Sequence, residues 1–190
     1  MAQDDFGFDE WPWADAALRG QGLDRLTDLE RDVISAYTFN AFTEINDALW
    51  GQIPMNAETA RRIAIIRAGL AKYPLPQTVR VTREADADVY DLTDEASAAA
   101  LIDAEFIHDG FMSTTGTPTP PRSLRHRHPV ILDLLVPADT PALRVGELSE
   151  TPEEREVLLI DARSYVVLDV QWARARRIWV IQAMIKGGEQ

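Results

Sequence analysis

The spacing of apolar residues divides this chain into a helical first third and a strand-rich remainder. Between residues 27 and 70, apolar side chains recur three or four positions apart, which is the period of an amphipathic helix. After Pro76 the pattern alternates between apolar and polar residues, as in "QTVRVTRE", which is the period of a strand. Helices followed by strands predict an α+β fold, with N-terminal helices ahead of a mainly antiparallel two-sheet β core.

Helix boundaries are marked by capping residues. Thr27 and Glu30 stand in the spacing of a capping box, which predicts a helix start at Thr27. An apolar stripe continues from there to Trp50, where Gly51 and the following proline end it. Asn56 is a suitable cap for a second helix that ends at "YPLP".

Beyond Pro76, turn residues separate several short β-like segments. The stretch "DEASAAALID" predicts one short helix, and "GFMSTTGT" predicts a strand that enters a turn. The loop "PTPPRSLRHRHP" follows, rich in proline and arginine. The later strand candidates are "VILDLLVP", "ALRVGEL", "EVLLI", "YVVLDV" and "RIWVIQAMI".

The domain organisation is predicted from length and from the character of the first residues. With 190 residues, the chain is long enough for one domain with a full core of its own, which we assign to residues 23–190. Residues 1–22 form an acidic tail that carries four aromatic side chains: Phe6, Phe8, Trp11 and Trp13. Our interpretation is a tail partly docked on its own domain, and the alternative is a docking segment for a partner.

Composition excludes several classes of function. The net charge of −12 disfavours a nucleic-acid target, because such binding relies on neutralising phosphates with lysine and arginine. The absence of cysteine excludes thiol catalysis and thiolate metal sites. No apolar run reaches the roughly 18 residues of a membrane span, and the acidic N-terminus does not resemble a signal peptide. The location stays open between the cytoplasm and delivery by a separate secretion or injection system.

Two glutamates stand at the beginning of an apolar run in "TPEEREVLLI". In an extended chain, Glu154 and Glu156 would point to one face, about 7 Å apart, with Arg155 on the other. Paired carboxylates serve as acid and base or stabilise a positive charge, as in glycosidic bond cleavage. A solvated turn that runs into a core strand is the alternative interpretation.

Three motifs appear in an order that resembles a known family. "VTRE" (81–84), "GFMSTT" (110–115) and "EEREVLL" (153–159) resemble the Arg, Ser-Thr-Ser and Glu-x-Glu elements of the clostridial-toxin-like mono-ADP-ribosyltransferases. Upstream, "AYTFNAFTEINDALWG" is similar to the helix that precedes the catalytic sheet in that family. The resemblance covers about residues 27–171, and three weak motifs in the same order make it specific.

The resemblance implies NAD as a substrate and assigns residues to it. Arg83 would bind the NAD phosphates, since an arginine fork meets phosphate oxygens in a bidentate manner. Ser113 would position the catalytic glutamate by a hydrogen bond, with Thr114 and Thr115 beside the nicotinamide ribose. The family's Tyr-Arg-Gly is Thr-Arg-Glu here, so Arg80 is the alternative phosphate ligand.

The two glutamates receive different roles from the same resemblance. Glu156 matches the catalytic glutamate, which would bind a ribose hydroxyl and stabilise the oxocarbenium ion as nicotinamide leaves. Glu154 matches the upstream glutamate, which would orient the acceptor and help to remove its proton. Family members with glutamate at this position typically modify arginine, so arginine is the expected acceptor.

No metal is expected. The spacing of His126 and His128 would allow a metal site together with His108 or a carboxylate, but such spacing is common in solvated loops. Arginines of the same loop would instead guide the NAD phosphates, or form a solvated cationic turn. Motifs of the Rossmann, P-loop and Gly-x-Ser-x-Gly kinds are absent from the sequence.

The sequence therefore predicts a mono-ADP-ribosyltransferase that modifies an arginine of a target protein, as a toxin or effector domain. The alternatives are an NAD glycohydrolase and a non-enzymatic interaction module that keeps the fold. A cognate inhibitor and a separate delivery chain are further conceivable partners. Because every motif assigned to chemistry lies at or beyond Arg83, we expect removal of residues 1–22 to change target choice or solubility more than NAD cleavage.

Overall fold

The helices begin at the capping residues that the sequence predicts. In the computed structural model, which describes residues 8–187, Glu30 donates its backbone N–H to Thr27 Oγ1, and Glu30 Oε2 accepts the Thr27 N–H at 2.7 Å. Asn56 Oδ1 accepts the Thr59 N–H at 2.8 Å. The helices are α1 (Ala14–Ala17), α2 (Asp28–Ala36), α3 (Phe42–Leu49), α4 (Ala57–Leu70) and α5 (Glu95–Ala100). None of them, within the described residues, combines the length and apolar character needed to cross a membrane.

The predicted long helix from Thr27 to Trp50 contains a change of winding. Residues Tyr37–Ala41 form a π-helical turn between α2 and α3. Such turns are rare and occur frequently at functional sites. Here the turn contains Tyr37, whose side chain is 1% exposed and points into the protein.

Eight strands follow or flank these helices in the described residues. They are β1 (Val79–Asp86), β2 (Glu105–His108), β3 (Met112–Thr115), β4 (Pro129–Val136), β5 (Ala142–Arg144), β6 (Glu156–Leu159), β7 (Arg163–Ala173) and β8 (Ile178–Ile185). The strand candidates in the sequence are confirmed, except that "ALRVGEL" is a strand only over Ala142–Arg144 and has a 3-10 turn at Gly146–Leu148. β2 is additional, and its weak signal has a physical cause: it pairs only with β7, and Ile107 is 72% exposed.

The strands form one sheet, in the order β2-β7-β8-β4-β1-β3-β6-β5. The predicted α+β class and the mainly antiparallel pairing are confirmed, with β4 and β8 as a parallel pair. The prediction of two sheets needs a correction, because β1 pairs with both β4 and β3. The link to β3 is narrow, with Thr82 opposite Thr115 as its registered pair. The sheet is therefore continuous but weakly joined in the middle.

Two hydrophobic clusters pack against the sheet. One cluster contains the interior of β4 together with residues of β1, β7 and β8, and it extends to β3 and β6 through Met112 and Val157. The other joins α2, the π-helical turn, α3 and α4 to Phe111, Leu143 and Leu158 from the β3, β5 and β6 region. The N-terminal helices thus pack against the half of the sheet that carries the Ser-Thr-Thr and Glu-x-Glu motifs.

The described part of the tail is docked on the domain. Arg80 lies between two aromatic rings, with its guanidinium carbon 4.9 Å from the Phe8 centroid and 4.3 Å from the Trp13 centroid. The same guanidinium pairs with Asp133 at 2.6 Å and with Asp9 at 2.8 Å. Trp11 remains 40% exposed, and Phe6 lies outside the described residues. Arg80 is therefore one of the residues through which the tail is attached to the domain.

Candidate active site

A cavity of about 560 Å³ lies between the N-terminal helices, three strands and the proline- and arginine-rich loop. The helical side includes Tyr37, Asn46 and Trp50. The loop contributes residues 120–123, 125 and 126. The structure brings all six predicted site residues to its wall: Arg83, Ser113, Thr114, Thr115, Glu154 and Glu156.

Ser113 and Glu156 are joined by a short hydrogen bond across two strands. β3 and β6 are antiparallel, with Thr115 opposite Glu156. Ser113 is two residues from Thr115 and therefore lies on the same face of β3. Its Oγ donates to Glu156 Oε1 at 2.6 Å. The register of these two strands positions the carboxylate.

The surroundings of Glu156 favour its neutral form. Burial raises the pKa of Glu156 to about 7, the bond from Ser113 opposes that rise, and the negative charge of Glu154 adds to it. A carboxyl group with this pKa changes its charge near neutral pH. A positive charge that enters the cavity therefore favours the ionised form of Glu156.

The backbone around Glu154 differs from the extended geometry that the sequence suggests. Pro152–Glu154 form a 3-10 turn, Arg155 has a φ of 50°, and β6 begins only at Glu156. The prediction that the two glutamates share a strand face is therefore wrong. They line one cavity because a left-handed residue between the turn and the strand redirects the chain.

The hydroxyls of Thr114 and Thr115 donate hydrogen bonds to backbone carbonyls of the protein. Thr114 Oγ1 donates to the Val157 carbonyl at 2.6 Å, and Thr115 Oγ1 donates to the Glu154 carbonyl at 2.5 Å. Both threonines are buried. Their bonds tie β3 to the Glu-x-Glu segment on either side of Glu156, and NAD binding by their hydroxyls stays a prediction.

The two candidate arginines occupy different environments. Arg83 lines the cavity and is half-buried, and among residues 8–187 it forms no salt bridge. Its charge also contributes to a lowered pKa of His108. Arg80 is 7% exposed and engaged by Asp133 and the tail, as described above. Of these two candidates, Arg83 is the one that lines the cavity without a salt bridge among residues 8–187.

A clamp between the helices and β3 holds the backbone ahead of Ser113. Asn46 Oδ1 accepts the Phe111 N–H at 3.0 Å, and Asn46 Nδ2 donates to the Tyr37 hydroxyl at 3.0 Å. Tyr37 in turn donates to the Phe111 carbonyl at 3.3 Å. A Cβ at Gly110 would lie 2.7 Å from Asn46 Oδ1, so a larger residue there would displace the Asn46 side chain from these bonds. The sequence did not lead us to assign a role to Asn46. The signal that could have identified it is the Ile-Asn-x-x-Leu pattern within "AYTFNAFTEINDALWG", the segment that is similar to the family.

Glu84 anchors the loop that forms another wall of the cavity. Its side chain is 3% exposed, forms an ion pair with Arg122 (Nε to Oε2, 3.1 Å), and accepts from the Ser123 N–H at 2.9 Å and from His126 Nδ1 at 3.0 Å. Sequence reasoning missed this role, although a glutamate directly after Arg83 was visible as a departure from the family pattern. The fixed loop keeps Arg122 and Arg125 beside the cavity.

The three histidines are not brought together. His126 is bonded to Glu84, whereas His108 Nε2 lies 3.3 Å from the Phe111 carbonyl. Burial and the charge of Arg83 lower the pKa of His108 to about 4, so its ring is neutral at pH 7. His128 instead meets Asp86 and Asp88, outside the residues that line the cavity.

Comparisons with known proteins agree with this arrangement. Residues 13–186 match the family model described as ADP-ribosyltransferase exoenzyme. The fold is similar to Plx2a, an ADP-ribosyltransferase toxin from Paenibacillus larvae, with 22% identity, a TM-score of 0.73 and coverage of 86% of this chain and 89% of that one. A search of curated protein sequences found no match.

Two further solved structures are similar over nearly the whole chain. The Clostridium limosum C3 exoenzyme has 19% identity and a TM-score of 0.76, with 95% of each chain covered. C3stau2 from S. aureus, determined with NAD, has 18% identity and a TM-score of 0.76, with 98% of each chain covered. At these identities the likeness establishes the fold.

Proposed function

The chain belongs to the ADP-ribosyltransferase exoenzyme family, and from this premise we propose that it moves ADP-ribose from NAD to an arginine side chain of a target protein. We place this activity in a toxin or effector domain. The observation that carries the proposal is the 2.6 Å bond from Ser113 to Glu156, in a cavity that Glu154 and Arg83 also line.

Cleavage of NAD needs stabilisation of a cation. The bond between ribose C1′ and the nicotinamide nitrogen breaks, and its electron pair leaves with nicotinamide, which becomes neutral. Positive charge then develops on the ribose as an oxocarbenium ion. In this proposal the Glu156 carboxylate stabilises that charge and binds a ribose hydroxyl, while Ser113 holds the carboxylate in place.

Binding of NAD needs a cation for its two phosphates. We assign this role to Arg83, whose planar guanidinium can bond two phosphate oxygens at once. Its freedom from salt bridges within residues 8–187 supports the assignment. Arg125 of the adjacent loop also lines the cavity, as does Arg122, which is paired with Glu84. The cavity volume of about 560 Å³ lies within the range of small-molecule sites.

The acceptor step needs a base, because a protonated guanidinium has no free electron pair to offer. A guanidino nitrogen bonds to ribose C1′ and loses one proton, which the Glu154 carboxylate receives in this proposal. The products are ADP-ribosyl-arginine, nicotinamide and one proton. A glutamate rather than an amide at this position supports arginine as the acceptor.

An NAD glycohydrolase is the second candidate function. Water would then replace the guanidine at ribose C1′, in the same cavity and with the same role for Glu156. Glu154 lines the cavity and is exposed, so water and a guanidine can both approach it from solvent. The two functions differ only in the second step.

Labelled NAD separates these functions. The protein is incubated with NAD labelled in its adenylate part, with agmatine as a small guanidine or with a cell lysate. We expect label on agmatine and on a protein band, and loss of both in Glu154→Gln with NAD hydrolysis retained. Label that appears only as free ADP-ribose, under every acceptor condition, would assign the glycohydrolase function instead.

A further inference from the structure

Asp15 connects the N-terminal segment to the turn that carries Glu154. Its Oδ2 accepts from Arg155 Nη1 at 3.2 Å, and its Oδ1 accepts from Arg144 Nη2 at 3.1 Å. The Asp15 side chain is 14% exposed. Arg155 is the middle residue of the Glu-x-Glu motif, so a residue of the tail contacts the motif directly.

Backbone bonds reinforce the same junction. The Asp15 N–H donates to the Gly116 carbonyl at 3.0 Å, and the Gly116 N–H donates to the Arg155 carbonyl at 3.1 Å. A Cβ at Gly116 would lie 2.4 Å from the Asp15 nitrogen, so this approach requires glycine. The tail, the end of the Ser-Thr-Thr strand and the Glu-x-Glu turn therefore meet at one point.

The conformation of Arg155 makes this junction relevant to chemistry. Its φ of 50° lies in the left-handed region, which costs a residue with a side chain about 1 kcal/mol or more. Such a conformation persists only where the surroundings determine it. An extended Arg155 would move Glu154 relative to Glu156. The contacts of Asp15 and Gly116 favour the conformation that keeps Glu154 at the cavity.

We propose that Asp15 is a positioning residue for the Glu154 carboxylate, so that the N-terminal segment forms part of the acceptor side of the site. This proposal rests on the function proposed above, in which Glu154 serves the acceptor step. The bond between Ser113 and Glu156 does not pass through this junction. Loss of the Asp15 contacts therefore impairs transfer to the acceptor more than cleavage of NAD.

The test compares Asp15→Asn with Asp9→Asn, a matched change in the same segment. Asp9 pairs with Arg80 and has a 94% exposed side chain. NAD hydrolysis is measured without acceptor, and transfer is measured with agmatine. For Asp15→Asn we expect hydrolysis within about twofold of wild type and transfer about tenfold lower, the scale of a small misplacement of a reacting group. Asp9→Asn leaves the ratio of the two rates unchanged.

A double variant tests the route through Arg155. If Asp15 acts through this partner, Asp15→Asn combined with Arg155→Gln lowers the transfer-to-hydrolysis ratio no further than the more severe single variant does. Multiplication of the two single effects would contradict the route through Arg155.

Limited proteolysis tests the role of Asp15 without depending on which acceptor the protein modifies. Arg155 is itself a trypsin site, and we expect faster cleavage after Arg155 in folded Asp15→Asn than in wild type. An unchanged transfer-to-hydrolysis ratio would overturn the proposal, whatever the cleavage rate. If the wild-type protein hydrolyses NAD but leaves agmatine unmodified, the assignment of arginine as the acceptor is wrong. In that case, trypsin cleavage after Arg155 at the same rate in Asp15→Asn and wild type would reject the role of Asp15 independently.

Discussion

Thr115 donates its hydroxyl to the backbone carbonyl of Glu154 at 2.5 Å, which joins the Ser-Thr-Thr strand to the Glu-x-Glu turn. This bond holds the backbone of Glu154 in place at its carbonyl group. This bond explains why a hydroxyl residue is useful at position 115 even though its side chain is 2% exposed. The two motifs act as one structural unit.

Replacement of Thr115 by valine tests that unit. Thr115→Val keeps the shape but leaves the Glu154 carbonyl without its donor, which costs about 1–2 kcal/mol of stability. We expect transfer to agmatine to fall more than NAD hydrolysis, because the change affects the turn of Glu154. Urea unfolding and the two rates measure these effects, and a larger loss of hydrolysis than of transfer would contradict the prediction.

The carboxylate of Glu156 should be required for NAD cleavage. Glu156→Gln replaces a negative charge by a neutral amide, so we expect nicotinamide release to fall by about 10²-fold or more. Nicotinamide is measured by chromatography. Glu153→Gln, an exposed change in the preceding turn, is the control. Wild-type rates in Glu156→Gln would reject the site assignment.

The raised pKa of Glu156 predicts a cost in stability that depends on pH. Its pKa is about 7 in the folded protein and near 4.5 when unfolded, so the folded state binds more protons between these values. Stability contributed by this group is therefore present at low pH and lost as the pH rises through about 7. Glu156→Gln lacks this ionisable group and therefore this cost. We expect the free energy of unfolding of the variant, relative to that of wild type, to be about 3 kcal/mol higher at pH 8 than at pH 4. Urea unfolding at both pH values would detect the difference, and parallel stabilities would contradict it.

The same group predicts the pH dependence of the reaction. Only the carboxylate form of Glu156 stabilises a developing cation, so NAD cleavage should rise with pH through about 7 in the free enzyme. The profile of kcat/KM for nicotinamide release measures this. A profile without a rise between pH 5.5 and 8 would show that the titration of Glu156 does not limit the reaction.

Substitutions of the two arginines of β1 should affect different properties, namely stability for Arg80 and NAD binding for Arg83. The structure predicts that Arg80→Lys is destabilising, because lysine cannot reproduce the contacts with Asp133 and the two aromatic rings. We expect Arg80→Lys to lose about 2 kcal/mol of stability with little change in NAD affinity once folded. Arg83→Lys should weaken NAD binding while thermal stability stays near wild type. Calorimetric titration with NAD and thermal unfolding decide, and the opposite ranking would move the phosphate role to Arg80.

Local patterns in the sequence determined the fold class, and the family resemblance predicted the residues of the site. Thr27, Glu30 and Asn56 are caps whose partners lie only three residues away, so their helix starts are visible without a structure. The strands could be read because their side chains alternate between two faces. The resemblance identified six residues that all line one cavity.

Tertiary structure decided what depends on distant partners. No local signal tells that Asp15 meets Arg155, that Glu84 holds the loop of Ser123, or that Arg80 is enclosed by the tail, because these contacts join residues far apart in the chain. The left-handed Arg155 shows the same limit, since the sequence there favours no particular turn and contacts with Asp15 and Gly116 select it. Periodicity and capping are properties of neighbouring residues, whereas the pairing of charges and the position of Glu154 depend on how separate segments pack.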